Sequence, residues 1–599
     1  MKNLISLFSI ALLSVLIFNA CDNNPLDIQP PDQITEEVVW EDVSLIKAYL
    51  SEVYRGMGHG LYHHKLSANT DNGHPIPVRN ESFVQSNINS SDRGIFDAFL
   101  DRDYYHYSWD HLYDKIRQLN IFIEEIDNSA IEDQNVKDQL KGEAHFLRAY
   151  FYHNLLRMYG GVPIITEVYG LNDDMNVPRN SFGETVSFIV QEAESAAGLL
   201  PTVRTGENLG RASAGAALAL KSRILLYAAS DLYHENPSDM VETGYTGSQN
   251  QTQMWRDAKN AAQAVIDLDT YSLFRPNPAD KEEAEQNYEQ LFRTPNTSEA
   301  ILELYRSEET ASTVDPPYNP NLHHGPNGYH MFGSNTPTQQ LVDAYKMADG
   351  SEFSWENPSH ASAPYENRDP RFYATIAYDG AEYRERPADT KDRDEDGVIQ
   401  TFLELNLPDG TTVSGLDTRN SNVEPWNGTY TGYYMRKFID VSKPPETGPQ
   451  SGVWPFFRYA EILLNYAEAS IELGEFGDAR DALNRIRVRA GMPEIGSSVT
   501  GQELSEHYRN ERRIELVYEE HRYFDIRRWM IAPDVMDVNA KGIEINAEAT
   551  DRADRSTYTN YEYEVISVQN RAWDNKMYFM PISQDEMNRN SELVQNPGF

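Results

Sequence analysis

The clearest hydrophobic pattern in the chain lies between residues 458 and 493. Apolar and small side chains recur there at helical spacing, stop at Gly474, and then resume at the same spacing. The positions that carry the pattern are Tyr459, Ile462, Leu463, Tyr466, Ala467 and Ser470, followed by Phe476, Ala479, Ala482, Leu483 and Ile486. The pattern predicts two antiparallel helices that turn at Gly474 and approach each other closely at Ala467 and Ala479.

This hairpin resembles a tetratricopeptide repeat, and such a unit cannot bury its apolar faces alone. Further helices are expected to pack with it. The same periodicity predicts helices over residues 43–57, 109–126, 136–159, 181–200, 212–229, 255–268 and 501–529. The fold is therefore predicted to be mainly α, with about four tetratricopeptide-like hairpins, three of them in the N-terminal half.

Between residues 276 and 455 the helical period fades, and proline, glycine, asparagine and tyrosine become frequent. Short extended pieces are predicted at residues 300–305 and 433–439. A long irregular segment supported by helices is often functional, and its aromatic content argues against disorder. We expect the ligand-binding surface in this segment.

These changes of pattern divide the chain into six parts. They are a signal peptide (1–20), a tether (21–35), a helical-repeat region (36–275), an irregular ligand-binding region (276–455), a hairpin with a charged helix (456–530), and a C-terminal segment (531–599).

The chain is strongly acidic, with 93 acidic and 52 basic residues and a net charge of -41. This charge excludes the phosphate backbone of a nucleic acid as the natural ligand. With 40% apolar and 11% aromatic residues, the chain can still fill a large core.

Cys21 is the single cysteine, so neither an internal disulfide nor a cysteine-based zinc site is possible. A short basic start and an apolar run to Phe18 precede it, which is typical of an export signal. A small residue directly before the cysteine resembles a bacterial lipobox, so we expect Cys21 to be lipidated and to hold the protein to a membrane surface. The alternative is an ordinary signal peptide with an incidental cysteine.

Motifs along the whole mature chain resemble those of the SusD/RagB family. In the N-terminal half these are Trp109 with Tyr113, Ile116 and Asn120, then Glu143 to Tyr150, Tyr159 to Pro163, and Gly210-Arg211. In the C-terminal half they are Pro455 with Arg458, Ala460 and Glu461, then Glu511-Arg512, Glu515, Glu519, His521-Arg522, Asp525, Arg527 to Trp529, Met580 to Ile582, and Gln595 to Phe599.

The resemblance implies a surface-exposed outer-membrane lipoprotein that binds an oligosaccharide or polysaccharide without cleaving it. Such a protein delivers its ligand to a partner TonB-dependent, SusC-like transporter. Some relatives handle peptides, so peptide capture by the same architecture is the first alternative. A surface polysaccharide hydrolase and a scaffold without a ligand are two others.

In this family the ligand platforms come from an early loop and from the irregular middle, and sugar sites favour aromatic rings with polar side chains around them. Tyr329 is the strongest candidate, because its Asn-Gly-aromatic setting resembles a platform position. The other candidates are Asp71, Asn72, Arg79, Tyr104, Tyr105, Tyr318 and Trp426. Trp109 and Trp255 lie on helical faces and are expected in the core.

Asp392, Asp394 and Asp396, followed by Gly397, have the spacing of a calcium loop but lack the terminal glutamate. They could bind calcium or form a solvated acidic loop. Seven histidines in the two presumptive binding loops could hold a transition metal or hydrogen-bond to ligand and backbone. They are His59, His63, His64, His74, His323, His324 and His330.

The acidic side chains of the helix predicted for residues 501–529 could be read as the paired carboxylates of a hydrolytic site. The spacing of its acids and arginines instead predicts structural ion pairs. The set consists of Glu511, Arg512, Glu515, Glu519, Arg522 and Asp525. No catalytic residue and no required cofactor are therefore predicted.

Overall fold

The computed structural model describes residues 36–61, 65–91, 105–170, 172–235, 240–312, 319–394, 396–444, 448 and 450–599. These residues form twenty α-helices. They are α1 (Glu36–Glu41), α2 (Val43–Arg55), α3 (Glu81–Val84), α4 (Trp109–Glu125), α5 (Gln134–Tyr159), α6 (Phe182–Leu199), α7 (Ala214–Ala229), α8 (Gln251–Ile266), α9 (Lys281–Leu291), α10 (Glu308–Ala311), α11 (Pro320–His324), α12 (Gln339–Ala344), α13 (Pro358–Ser362), α14 (Pro370–Thr375), α15 (Tyr459–Glu472), α16 (Phe476–Arg489), α17 (Gly501–Glu515), α18 (Arg522–Arg528), α19 (Ala532–Met536) and α20 (Gln584–Arg589).

Ten short strands complete the described fold. They are β1 (Gly73–Pro75), β2 (Ala300–Arg306), β3 (Asn335–Pro337), β4 (Ile376–Ala377), β5 (Glu404–Asn406), β6 (Thr412–Val413), β7 (Tyr434–Met435), β8 (Gly452–Arg458), β9 (Ala540–Glu548) and β10 (Thr559–Gln569). The mainly α prediction is confirmed, and tetratricopeptide-like is a fair description of the helices.

The helices of the N-terminal half pack in chain order, α4 on α5, α5 on α6, α6 on α7 and α7 on α8. Local signals fix their ends. Ser181 and Glu184 form a capping box before α6, and Gly160 ends α5 in a positive-φ conformation. Trp109 and Trp255 are buried in this stack, as predicted.

The predicted hairpin is confirmed as α15 and α16, and Gly474 takes φ +75° at its turn. Ala467 and Ala479 are fully buried where these helices meet. The hairpin is not isolated, because α15 packs against α8 and so continues the N-terminal stack after the intervening segment 267–458.

The predicted charged helix over residues 501–529 is wrong in its length. It divides into α17 and α18, because Tyr518 and Glu520 adopt positive φ angles of 61° and 68° in the turn between them. Such backbone cannot continue a right-handed helix.

The middle segment has its own apolar core, and the C-terminal segment contributes to it. Strands β10, β9, β5 and β6 form one sheet in that order, in which β5 runs parallel to β9 and the other pairs are antiparallel. Ile543 and Ile545 point from β9 into this core with Phe402 and Leu405. The remaining strands form the pairs β1–β3, β2–β8 and β4–β7.

The last residues return to the N-terminal stack. The Asn596 amide donates to the carbonyls of Tyr159 (3.0 Å) and Met580 (2.7 Å), and Arg179 donates to its oxygen at 3.0 Å. Among the described helices, none is long and apolar enough to cross a membrane.

Candidate functional site

The two loops predicted to bind ligand lie next to each other. Strand β1 of the first loop pairs antiparallel with β3 of the second, with His74 opposite Thr336. The Thr336 hydroxyl also donates to the His74 carbonyl at 3.0 Å. Segments more than 250 residues apart in sequence therefore form one structural unit.

Asp71 and Asn72 anchor the first loop to the helices beneath it. The Asp71 carboxylate is buried and pairs with Arg522 (2.7 Å) and Arg513 (3.0 Å). Burial would raise the pKa of Asp71, but these arginines hold it well below its usual range. Asn72 accepts a bond from Arg513 Nε at 2.7 Å. Both side chains bond to arginines of the protein itself. This placement favours a structural role, and their role as ligand contacts stays a prediction.

Tyr329 lies inside the protein and only 1% of it is exposed. Its hydroxyl donates to the Arg384 carbonyl at 2.9 Å, and the Arg386 guanidinium lies 4.0 Å from the ring centroid. Its ring packs with Met331 and Tyr383 in a small core. As placed, the ring offers no face to a sugar, although it was the strongest candidate from the sequence.

The Asn-Gly pair before Tyr329 has a structural explanation. The Asn327 amide donates to the Val423 carbonyl at 2.6 Å and to the Thr418 carbonyl at 3.1 Å. A Cβ at Gly328 would lie 2.4 Å from Asp417 Oδ1, so only glycine fits there. The motif therefore fastens the loop over residues 415–430 to the second binding loop.

Trp426 stands on that fastened loop and is 71% exposed. It lies in the short 3-10 turn Pro425–Asn427, and its ring contacts no other ring in the described part of the chain. A tryptophan held open to solvent on a well-packed loop is an effective platform for the apolar face of a sugar.

A small charge network flanks Trp426. The His330 ring lies between two carboxylates, with Nδ1 3.0 Å from Glu424 and Nε2 3.2 Å from Asp389. Burial alone would lower the pKa of His330, but the hydrogen bonds to Glu424 and Asp389 raise it above its usual value. His330 thus remains a cation nearer to neutral pH than an ordinary histidine.

Two of the three residues in this network have a strained backbone. His330 and Glu424 are non-glycine residues with φ of +61° and +41°, which costs roughly 1–3 kcal/mol at each position. Strain of this kind is concentrated at functional sites, where the surrounding packing maintains it.

Tyr430 connects the Trp426 loop to the first binding loop. It is 37% exposed, and its ring centroid lies 5.4 Å from that of the buried His74. The exposed Arg419 places its guanidinium 4.7 Å from the same ring. Arg79, another predicted contact, is exposed shortly after β1.

We call this assembly the Trp426 surface, defined by Trp426, Tyr430, His330, Glu424, Asp389 and Arg419. It combines aromatic faces with carboxylates and cations that can bond sugar hydroxyls. Of its members, the sequence singled out Trp426 as a ligand contact and His330 only as a loop histidine. The two positive φ values of non-glycine residues left no signal in the sequence.

The predicted calcium loop does not converge on one point. Asp392 is exposed, whereas the buried Asp394 pairs with Arg386 Nε at 2.5 Å. Asp396 accepts the Arg555 amide at 3.3 Å. The described residues contain no group of three or more His, Cys, Asp or Glu side chains suited to a metal ion. Asp394 is thus engaged by an arginine inside the protein, which fits neither a calcium ligand nor a solvated acid, and calcium binding by this loop stays a prediction.

The described histidines of the two binding loops also form no group suited to a metal ion. His59, His74, His323 and His324 are buried, and His330 belongs to the Trp426 surface. His63, His64, Tyr104, Tyr318 and Cys21 lie outside the described residues. Tyr105 begins the 3-10 turn Tyr105–Tyr107, and its side chain is not described.

The acids and arginines of α17 and α18 form buried ion pairs, as predicted, but mostly with other elements. Glu515 contacts Arg458 (2.7 Å), Arg371 (3.0 Å) and Arg489. Burial would raise the pKa of Glu515, and the three arginines hold it far below its usual range. The remaining pairs are Glu511 with Arg371 and Arg487, Glu519 with Arg458 and Lys437, Arg512 with Asp525, and Arg522 with Asp71.

Comparisons with known proteins agree with this architecture. A family model described as "SusD family" matches residues 298–599, and one described as "Starch-binding associating with outer membrane" matches residues 26–226. SusD-like protein P38 of Formosa agariphila is 22% identical over 553 residues, covering 89% of this chain and 92% of that protein.

Two solved structures from Bacteroides fragilis superpose over most of the chain. A SusD-like protein is 28% identical with a TM-score of 0.74, covering 95% of this chain and 100% of that chain. A SusD-like carbohydrate binding protein is 23% identical with a TM-score of 0.68, covering 93% and 100%.

Proposed function

Because the chain belongs to the SusD family, we propose that it binds oligosaccharides on the Trp426 surface and releases them unchanged. Carbohydrate binding is named for one of its structural neighbours and starch binding for one of the matching family models. The bound glycan would pass to a partner TonB-dependent transporter in the outer membrane. A lipid on Cys21 would keep the protein at the cell surface.

The observation that carries this proposal is the exposure of Trp426 on a loop with fixed geometry. Asn327 fastens the loop from one side, and a Cβ at Gly428 would lie 2.4 Å from the Arg419 backbone nitrogen, which shows how closely the loop packs on itself. A rigid, exposed ring can stack on a sugar with little loss of conformational entropy.

The acids near Trp426 do not resemble a hydrolytic pair. Glu424 and Asp389 both contact one histidine ring, which lies between them at 3.0 Å and 3.2 Å and fills the space where a scissile bond would have to lie. Glycoside cleavage instead needs a proton donor with a raised pKa facing a second carboxylate. This arrangement supports binding without turnover.

The test is calorimetric titration of the lipid-free protein with a panel of neutral oligosaccharides and mixed peptides, with reducing ends assayed in parallel. We expect glycan binding without release of reducing ends. Trp426→Ala should weaken that binding at least about fivefold, since truncating an aromatic anchor of a binding surface costs roughly 1 kcal/mol or more.

The control is Trp573→Phe, which changes a tryptophan whose indole donates to Asn575 and which lies outside the Trp426 surface. It should bind glycans as the parent protein does. Binding of peptides but not glycans would favour the peptide alternative, and release of reducing ends would favour a hydrolase. Glycan binding that survives Trp426→Ala would refute the site.

A further inference from the structure

A second cavity lies between helix α2 and the β2–β8 pair, and it shares no residue with the Trp426 surface. Its volume is about 810 Å³, within the usual range of small-molecule sites. Its walls include Tyr54 and Arg55 of α2, Tyr305 and Arg306 of β2, and Phe456 of β8. The cavity is therefore large enough for a sugar unit and is built on regular elements.

Arg306 is the most informative residue in this cavity. It is partly buried, and its guanidinium makes no hydrogen bond or ion pair with any described residue. Partly buried arginines usually have an acidic partner, because a desolvated cation is costly. The chain has a net charge of -41 and so contains many acidic side chains, yet none of the described ones pairs with Arg306.

The neighbouring arginines leave a further excess of positive charge. Arg211 and Arg204 both pair with the single carboxylate of Glu143, each at 2.8 Å. Arg211 lines the same cavity as Arg306, and Arg204 lines a smaller adjoining one. Two guanidinium groups on one carboxylate leave one positive charge uncompensated.

Glu303 is the one acidic side chain lining the cavity among the described residues. It is 7% exposed, accepts the Asn296 amide at 2.5 Å and pairs with no described cation. Burial raises the pKa of Glu303 to about 7. Near neutral pH it therefore carries only part of its charge and opposes the arginines weakly.

Aromatic and apolar side chains accompany these charges. Tyr305 and Leu209 are each 45% exposed, and Phe456 is half-buried on the opposite strand. Faces of this kind suit the C–H surface of a sugar ring, and an arginine suits the planar, bidentate binding of an oxyanion. The combination differs from the Trp426 surface, where carboxylates already surround the cation.

We propose that this cavity binds the anionic unit of a saccharide, with Arg306 bonding its carboxylate or sulfate and Tyr305 contacting the sugar ring. The inference rests on the proposed function in one respect, because it takes saccharides as the ligand class. It adds a second site with a different charge preference.

The test uses calorimetry on the full lipid-free protein at pH 8 with three probes, digalacturonate, a monosulfated carrabiose disaccharide and neutral lactose. At least one anionic disaccharide should bind at least about tenfold tighter than lactose, and the two anionic probes distinguish carboxylate from sulfate. Arg306→Gln should remove this difference, since a hydrogen bond to a charged group accounts for about tenfold or more in affinity. Arg589→Gln, a change at an exposed arginine, should preserve it.

Two further variants separate this site from the first. Glu303→Gln removes the opposing charge and should raise the affinity for the anionic probe about twofold or more at pH 8. Trp426→Ala should leave that affinity unchanged while it weakens neutral glycans. Anionic probes that bind no tighter than lactose, or whose binding survives Arg306→Gln or is lost in Trp426→Ala, would overturn the inference. The neutral-glycan titrations test the proposed function separately.

Discussion

Two networks of acids and cations in this protein differ in what surrounds them. Around Glu515 the charges are buried, and the Glu515 carboxylate contacts three arginines. Around His330 the charges are partly exposed, one cation serves two carboxylates, and the backbone is strained at His330 and Glu424. The first network joins α17 to α14, β8 and α16, whereas the second surrounds an exposed tryptophan. The comparison separates charges that hold the fold from charges that lie beside the proposed ligand surface.

Breaking the buried network should have the largest effect. Arg458 bonds Glu299, Glu515 and Glu519, each at 2.7 Å. Arg458→Ala leaves three buried carboxylates without that partner, so we expect a loss of at least about 3–5 kcal/mol in the free energy of unfolding. Thermal unfolding followed by circular dichroism measures it.

The matched control is Arg589→Ala, because Arg589 is 73% exposed and pairs with Glu586 in the same helix. Its unfolding midpoint should stay close to that of the parent. Equal midpoints for the two variants would show that the buried network does not hold the fold.

Variants of Tyr329 test whether this loop aromatic stabilises the fold or binds ligand. Tyr329→Ala removes a buried ring and should cost about 3–5 kcal/mol of stability. Tyr329→Phe keeps the ring and loses the hydrogen bond to the Arg384 carbonyl, at about 1 kcal/mol. Denaturant unfolding of the two variants measures both costs. If Tyr329→Ala instead weakened glycan binding at unchanged stability, Tyr329 would be a platform after all.

The smallest effect is expected in the surface network and concerns pH. The pKa of His330 is raised in the folded protein, above an unfolded value of about 6.5. The stabilisation from its cationic form is therefore complete below about pH 6.5 and is lost as the pH rises through the raised value. Glu424→Gln should lower the His330 pKa, as followed by NMR of histidine-labelled protein.

A control for that titration is Glu194→Gln, which removes a carboxylate paired with Lys221 on the N-terminal stack. It should leave the His330 titration unchanged. A His330 pKa that does not move in Glu424→Gln would mean that the contact with Glu424 does not hold the proton.

Sequence patterns predicted the helices well because helical periodicity is a local property. Helix α5 ends at Gly160, and the hairpin of α15 and α16 turns at Gly474. Both glycines have positive φ, and the sequence predicts a helix stop at each. The long pair β9 and β10 is not among the predicted elements, although Ile543 and Ile545 alternate with polar residues and Tyr561 and Tyr563 alternate with glutamates. Such alternation is typical of half-buried strands.

The candidate site was harder to predict, because exposure depends on segments distant in sequence. Tyr329 and Trp426 both sit in loops rich in proline, glycine and asparagine. Only the fold shows that Tyr383 and Arg386 cover the first ring and that no described ring covers the second. Asp71 and Asn72 are polar loop residues of the kind that sugar sites use, yet their partners lie on α17 and α18, more than 400 residues later.

The packing of α15 against α8 has a consequence for how the chain folds. Val265 of α8 is fully buried, and α15 follows only after the segment 267–458. When the chain emerges N-terminus first, the end of the helical stack stays uncovered until those residues have arrived. Contacts of such long sequence separation form slowly and leave apolar surface open to aggregation. The nascent stack therefore exposes the apolar face of α8 until α15 docks.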